Sequence, residues 1–240
     1  MEYGMNVMLL SDTEVDFFIH TLIPYQFFGQ EVYITSTHIC TIIVMVTMVI
    51  LALLARRHIM KAKEVPTGVQ NVVETIVELL MKFVQSTMGK HHTKYFNYVG
   101  TLFMFIFLSN ISGLFGLRPP TADYGVTFCM ALITFTLIQY NNLRVNKFGA
   151  FTNLFKPLPF LFPINLIGEV AVPVSLSLRL FGNVMAGTVL LALFYGLLPL
   201  FVKLGVPSFF HAYFDLFSGA IQAYVFSMLT MVFVTDKLGD

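Results

Sequence analysis

Hydrophobic runs long enough to cross a bilayer follow one another along this chain, separated by short polar breaks. The first, about Tyr33 to Ala55, is stopped by Arg56, Arg57, His58, Lys61 and Lys63. The second, about Phe96 to Leu117, ends at Arg118-Pro-Pro-Thr-Ala-Asp123; the third, about Tyr124 to Leu143, is followed by Arg144, Lys147 and Lys156. Roughly 20 apolar residues make a spanning helix. None of these runs alternates polar and apolar positions as barrel strands do, so helices are expected.

Two stretches break the pattern. From Gly68 to Met88, apolar residues recur at Val69, Val72, Val73, Ile76, Val77, Leu80 and Phe83, while Glu74, Glu78 and Lys82 share another face. That spacing predicts an amphipathic helix within residues 65–90, lying at an interface or docked on the bundle rather than crossing it. From Pro159 to Leu198, some 40 residues carry no strong turn signal. As one straight helix they would measure about 60 Å, twice the hydrocarbon thickness. The stretch must tilt steeply, bend or form a hairpin within the membrane. Pro173, Gly182 and Gly187 allow bending or close packing. A short link, Pro199 to Pro207, leads to a last segment, about Phe209 to Val234.

Composition sharpens the class. The 240 residues are 57% hydrophobic and only 11% charged, against about 25% charged in soluble domains. An all-α polytopic membrane protein forming one transmembrane domain, residues 1–240, is expected. The net charge of +1 gives no reason to expect a nucleic-acid partner. Cys40 and Cys129 lack metal or redox spacing and read as small core residues. The histidines show no ligand spacing, so neither a metal nor another cofactor is expected, and the chain contains no nucleotide-binding or hydrolytic motif. Eleven Lys and Arg residues fall on one side of the predicted spans, against Arg118 and Lys203 on the other. That asymmetry puts the C-terminus and the amphipathic helix in the cytoplasm, and the acidic segment 1–30 outside.

The chemistry concentrates in the last two hydrophobic regions. Pro159–Leu198 carries two charges, Glu169 and Arg179. A charge at the bilayer centre costs about 2.5–3.5 kcal/mol on insertion scales, and arginine cannot escape by losing its proton. Arg179 is too far from either end of its segment to snorkel. Asn183 lies one turn on, and both face the same way. Asp215 and Gln222, seven apart, should share a face about 10 Å from each other. Simpler roles exist for four of these: a salt bridge or an interfacial position for Glu169, a helix N-terminus for Asp215, interhelical hydrogen bonds for Asn183 and Gln222. Two carboxylates on one side of a fixed guanidinium would suit the passage of a proton or another small cation between water and a site in the membrane.

The run Pro173-Val-Ser-Leu-Ser-Leu-Arg-Leu-Phe-Gly-Asn183 with Ala186-Gly187 resembles the signature of subunit a of F-type ATP synthases. Phe107-Leu-Ser-Asn-Ile-Ser-Gly113, Pro119-Pro-Thr-Ala-Asp123, Pro163-Ile-Asn-Leu-Ile-Gly-Glu169 and Gln222-Ala-Tyr-Val-Phe226 extend the likeness over most of the chain. The resemblance implies a non-catalytic stator subunit packed against a ring of c subunits, with a b-subunit peripheral stalk and the remaining synthase subunits as further partners. It implies five spans, residues 157–235 forming the ion-path helices, two of them long, steeply tilted and facing the ring. Two aqueous half-channels would lead ions, expected to be protons, to the ring carboxylates. Arg179 would keep the half-channels apart, Gln222 would lie opposite it, and Asn183 would be the polar residue one turn on. Where some members carry a glutamate and a histidine, this chain has Thr188 and Asp215; Asp215 could serve as the acid, and Glu169 could supply the carboxylate that Thr188 lacks. A bacterial plasma membrane is the implied location. A stand-alone secondary ion transporter or channel, and a structural assembly subunit without an ion path, are the alternatives.

Overall fold

A computed structural model of the chain describes residues 21–27, 30–60, 68–147, 149, 159–197 and 206–238. Among them five helical stretches are long and apolar enough to cross a membrane: Ser36–Ile59, Lys90–Phe115, Tyr124–Asn146, Phe162–Phe194 and Phe209–Leu238. The chain is a helical, multi-pass membrane protein, as its hydropathy pattern predicts. The acidic residues Asp12, Glu14 and Asp16 and the basic residues Lys61, Lys63, Lys156 and Lys203 lie outside the described residues.

The first run departs from its predicted start. Strand β1 (Thr21–Phe27) pairs antiparallel with β2 (Gln30–Thr35), Tyr25 opposite Val32. Tyr33 therefore sits in a strand, and helix α1 (Ser36–Ile59) begins three residues later. Val32, Tyr33, Ile34 and Thr35 are β-branched or aromatic, which favours the strand. Helix α1 ends in Arg56 and Arg57, charges that suit a helix C-terminus. It buries only Thr37, Cys40 and Val44, so most of its surface is left for lipid or a partner.

Helix α2 (Val69–Met88) is bounded by Gly68 (φ 60°) and Gly89 (φ 79°), both in backbone conformations that favour glycine. It is not among the five spanning stretches. Its C-terminal half docks: Val84 and Met88 pack with Tyr95, Val99, Ile138, Met231 and Val234. On its polar face Lys82 pairs with Glu78 at 2.7 Å and holds that carboxyl below its ordinary pKa range.

Helix α3 (Phe96–Ile111) follows a 3-10 turn, Lys90–Tyr95. Helix α4 (Tyr124–Asn146) is capped by Asp123, whose side chain accepts from the Gly125 N–H at 2.8 Å. The two are tied by Tyr95 donating to Asn141 and by the Tyr98–Thr134 hydroxyl pair at 2.8 Å. Cys129 does not belong to the core, as its size suggests it should. Helix α4 packs through Thr127, Ala131, Thr134 and Ile138, and Cys129 falls on the opposite, exposed face.

Helix α5 (Phe162–Leu197) is continuous over 36 residues. At 1.5 Å per residue it is about 54 Å long. An intramembrane hairpin is thereby excluded, leaving tilt or bending to fit the bilayer. Pro173 has no N–H for the Glu169 carbonyl one turn back, which loosens the helix there. The last span joins α6 (Val206–His211), a π-helical turn (Ala212–Ser218) and α7 (Gly219–Leu238).

Helix α7 is the hub, packing on α3, α4 and the C-terminal half of α2. Gly219, Ala223, Ser227 and Thr230 are all buried, at spacings of four, four and three. Lipid supplies little hydrophobic drive between helices, so small residues that let backbones approach matter more than bulk. A Cβ added at Gly219 would lie 2.6 Å from the Cβ of Asn110. Beside this ridge Leu102, Ile106, Ala131, Leu176, Leu180, Ala223 and Phe226 form the central cluster, drawn from α3, α4, α5 and α7.

Candidate functional site

The core positions of α5 are Pro173, Leu176, Ser177, Leu180, Gly187 and Leu191, all buried. Arg179 falls between them on the other side of the helix and is exposed. Its neighbours on that side, Ser175, Leu178, Gly182 and Ala186, are exposed too. Among the described residues no hydrogen-bond or ion-pair partner of Arg179 is found. Leu180 and Ala223, their chain neighbours, belong to one central cluster, so Arg179 and Gln222 both border the packed region between α5 and α7. Gln222 is buried, and its Nε2 finds no acceptor among the described residues. A buried donor without a partner costs about 1–3 kcal/mol.

Towards the C-terminal end of α5 lies a cavity of about 330 Å³, the space of roughly ten waters. Asn183 and Thr188 reach it from α5, His211 and Asp215 from the last span, Asn110 and Gly113 from the end of α3, and Arg118 from the loop. His211 Nδ1 lies 3.0 Å from Asp215 Oδ2. Asn183 and Ser218 exchange hydrogen bonds of 2.9 and 3.1 Å. Asn110 donates to the Gly219 carbonyl at 3.2 Å and accepts from Thr121 at 2.8 Å. Glycine at 113 makes room for the Asp215 carboxylate, which lies 3.0–3.2 Å from where a Cβ would stand.

Glu169 is elsewhere. It precedes Arg179 by ten residues of helix, about 15 Å. Its Oε1 pairs with Lys237 Nζ at 2.5 Å, and its Oε2 accepts from Gln139 Nε2 at 2.6 Å. Two sequence expectations are corrected by this. The carboxylates do not lie on one side of the arginine: Glu169 is towards the start of α5, and Asp215 packs beyond it towards the end. Nor can Glu169 stand in at Thr188, because the two are separated by about 28 Å of helix. Asp215 is the acid in the cavity with Thr188.

The Asp215–Gln222 spacing is corrected as well. A seven-residue interval returns to the same face only in an α-helix. Here Ala212–Ser218 is π-helical, which changes the phase. Asp215 points into the cavity, whereas Gln222 is buried in the bundle outside it. Sequence reading did not single out His211, Arg118, Gly113 or Ser218. The i, i+4 spacing of His211 and Asp215 was the available signal; the others are joined to the site only by the fold.

A mainly apolar cavity holding one carboxylate, an exposed arginine and a second carboxylate bound by a lysine thus follow one another along α5, from its C-terminal end towards its start. Comparison with known proteins agrees with the motifs. A family model described as "ATP synthase A chain" matches residues 38–235. The chain belongs to the ATP synthase subunit a family. It is 42% identical over 193 residues to "ATP synthase subunit a, sodium ion specific" of Propionigenium modestum, covering 73% of this chain and 65% of that protein. It is 33% identical over 230 residues to ATP synthase subunit a of Priestia megaterium, covering 90% and 96%. The subunit a of Anoxybacillus flavithermus is 34% identical over 229 residues, covering 89% and 95%. As a subunit-a-family member with five helices among the described residues long and apolar enough to span, the chain is a multi-pass membrane subunit that works with other ATP synthase subunits.

Proposed function

We propose that this chain is the ion-translocating stator subunit of a rotary F-type ATP synthase. The Arg179 face of α5 meets the ring of c subunits, and ring rotation carries an ion between two half-channels. The observation that carries this reading is Arg179 itself, exposed in the middle of a spanning helix. Left against lipid it costs about 2.5–3.5 kcal/mol. Opposite a ring carboxylate, it gains a charge partner. The cavity holding Asp215, Asn183 and Thr188 supplies the half-channel on the Arg118 side. Gln222 completes the face beside the arginine, and Glu169 marks the other end. A fixed guanidinium attracts each deprotonated ring carboxylate and keeps ions from crossing directly. A b-subunit stalk holds the chain against the turning ring, and catalysis belongs to other subunits.

The excess of basic residues on one side supports an N-terminus outside and a C-terminus in the cytoplasm; a bacterial plasma membrane and one domain over residues 1–240 are part of the same proposal. The proposed ion is the proton. Sodium is the second reading, favoured by the sodium specificity in the name of the Propionigenium relative.

The test is gradient-driven ATP synthesis in vesicles holding the whole complex, normalised to assembled complex, for wild type, Arg179→Ala and Arg179→Lys. Both variants are expected to assemble and to lose synthesis, because lysine keeps the charge but loses the planar fork and the permanent proton. Normal synthesis in Arg179→Lys would sink the barrier role. A sodium requirement for wild-type synthesis would replace the proton.

A further inference from the structure

Lys237 has no part in the motifs, yet it makes a long-range polar contact between two helices. It lies 68 residues from Glu169, near the end of α7, and the two pair at 2.5 Å. Gln139 of α4 binds the other carboxylate oxygen at 2.6 Å. Three helices therefore meet at one side chain. The ion pair is partly sheltered, with about a quarter of each side chain exposed (25% for Lys237, 23% for Glu169). Both oxygens of Glu169 face N–H donors, the pattern of an acceptor-only carboxylate. The pair also sits one turn before Pro173, where α5 lacks a backbone bond and most needs a fixed point.

We propose that Lys237, Glu169 and Gln139 form a clasp that fixes the end of α7 against α5 and α4, with Lys237 as its positioning residue. Resting on the stator reading, the clasp fixes how α7, which carries Gln222, sits against α5, which carries Arg179. Glu169 is then an anchored anion, and the carrying of ions falls to other groups. The geometry favours this over a carrier role because both of its oxygens are already bound inside the chain.

The experiment uses the whole complex in vesicles, reading ATP synthesis per assembled complex alongside ATP hydrolysis. Lys237→Ala is expected to lower synthesis per assembled complex roughly tenfold while hydrolysis continues, since without the clasp α7 and α5 lose their fixed relation and the groups they carry are misplaced. Lys237→Arg is expected to restore it. A contact that only stabilises the fold would reduce the amount assembled and leave turnover per complex unchanged; that result overturns the proposal. The reversed pair, Glu169→Lys with Lys237→Glu, is expected to recover most of the synthesis. Failure of the reversed pair, when Lys237→Arg works, would mean that position 169 needs its own carboxylate and is a carrier. If Lys237→Ala does not assemble, the reversed pair decides alone. Arg179→Ala is run in parallel: if it too retains synthesis, the stator reading fails, whatever the clasp variants do.

Discussion

Single side chains in the cavity wall have sharply different tolerances. Gly219 has no room for a Cβ, which would stand 2.6 Å from Asn110. Gly219→Val should force α7 away from α3, costing about 1–3 kcal/mol as an overpacked contact and lowering the yield of assembled complex. Quantitative blotting of membranes would show this, and wild-type yield would contradict the close packing. Asp215→Asn is a different kind of change, nearly equal in shape. The bundle should assemble normally, while synthesis per complex falls at least about tenfold if the lost charge weakens transition-state stabilisation by about 1.4 kcal/mol. Unchanged synthesis would remove Asp215 from the ion path. The chemical importance of Arg179 was legible from its type and surroundings alone, because a permanent charge in an apolar run is costly wherever the run folds.

Among the elements, the π-helical turn Ala212–Ser218 does what no residue type announces. It lets Asp215 face the cavity while the Gly219–Ala223–Ser227 ridge keeps its place against α3 and α4. Deleting Leu216, between Asp215 and that ridge, should remove the surplus residue and turn Asp215 by about 100° relative to α7. Assembly should survive and ATP synthesis should not; a fully active deletion would show that the π turn is dispensable. The spans themselves were legible, since twenty apolar residues leave few alternatives to a helix. The first span's start was not, because Val32 to Thr35 suit strand and helix alike until β1 pairs with them. Likewise the length of α5 implied tilt, bend or hairpin, and only the unbroken helix removed the last.

At the scale of the whole molecule, the fold spreads the polar groups along the bundle. Asp215 with Asn183 and Thr188 lies on one side of the Arg179 level, and Glu169 with Lys237 on the other. Single cysteines at Thr188 and at Lys237 should therefore be modified by a membrane-impermeant thiol reagent from opposite sides of oriented vesicles, after Cys40 and Cys129 are both replaced. Labelling of both from one face would contradict two separate aqueous approaches.

The sequence by itself determined the membrane class, the first three spans and the chemical character of Arg179, Glu169 and Asp215. These follow from local properties: run length, charge count and the cost of ions in lipid. Which of those groups meet was decided only by the tertiary structure. Asp215 joins Thr188, and Glu169 joins Lys237, because the helices bring together residues far apart in the chain. The phase shift of a π turn and the tight contact at Gly219 set the remaining positions. Such pairings depend on how helices cross and rotate against one another, and no local pattern encodes that.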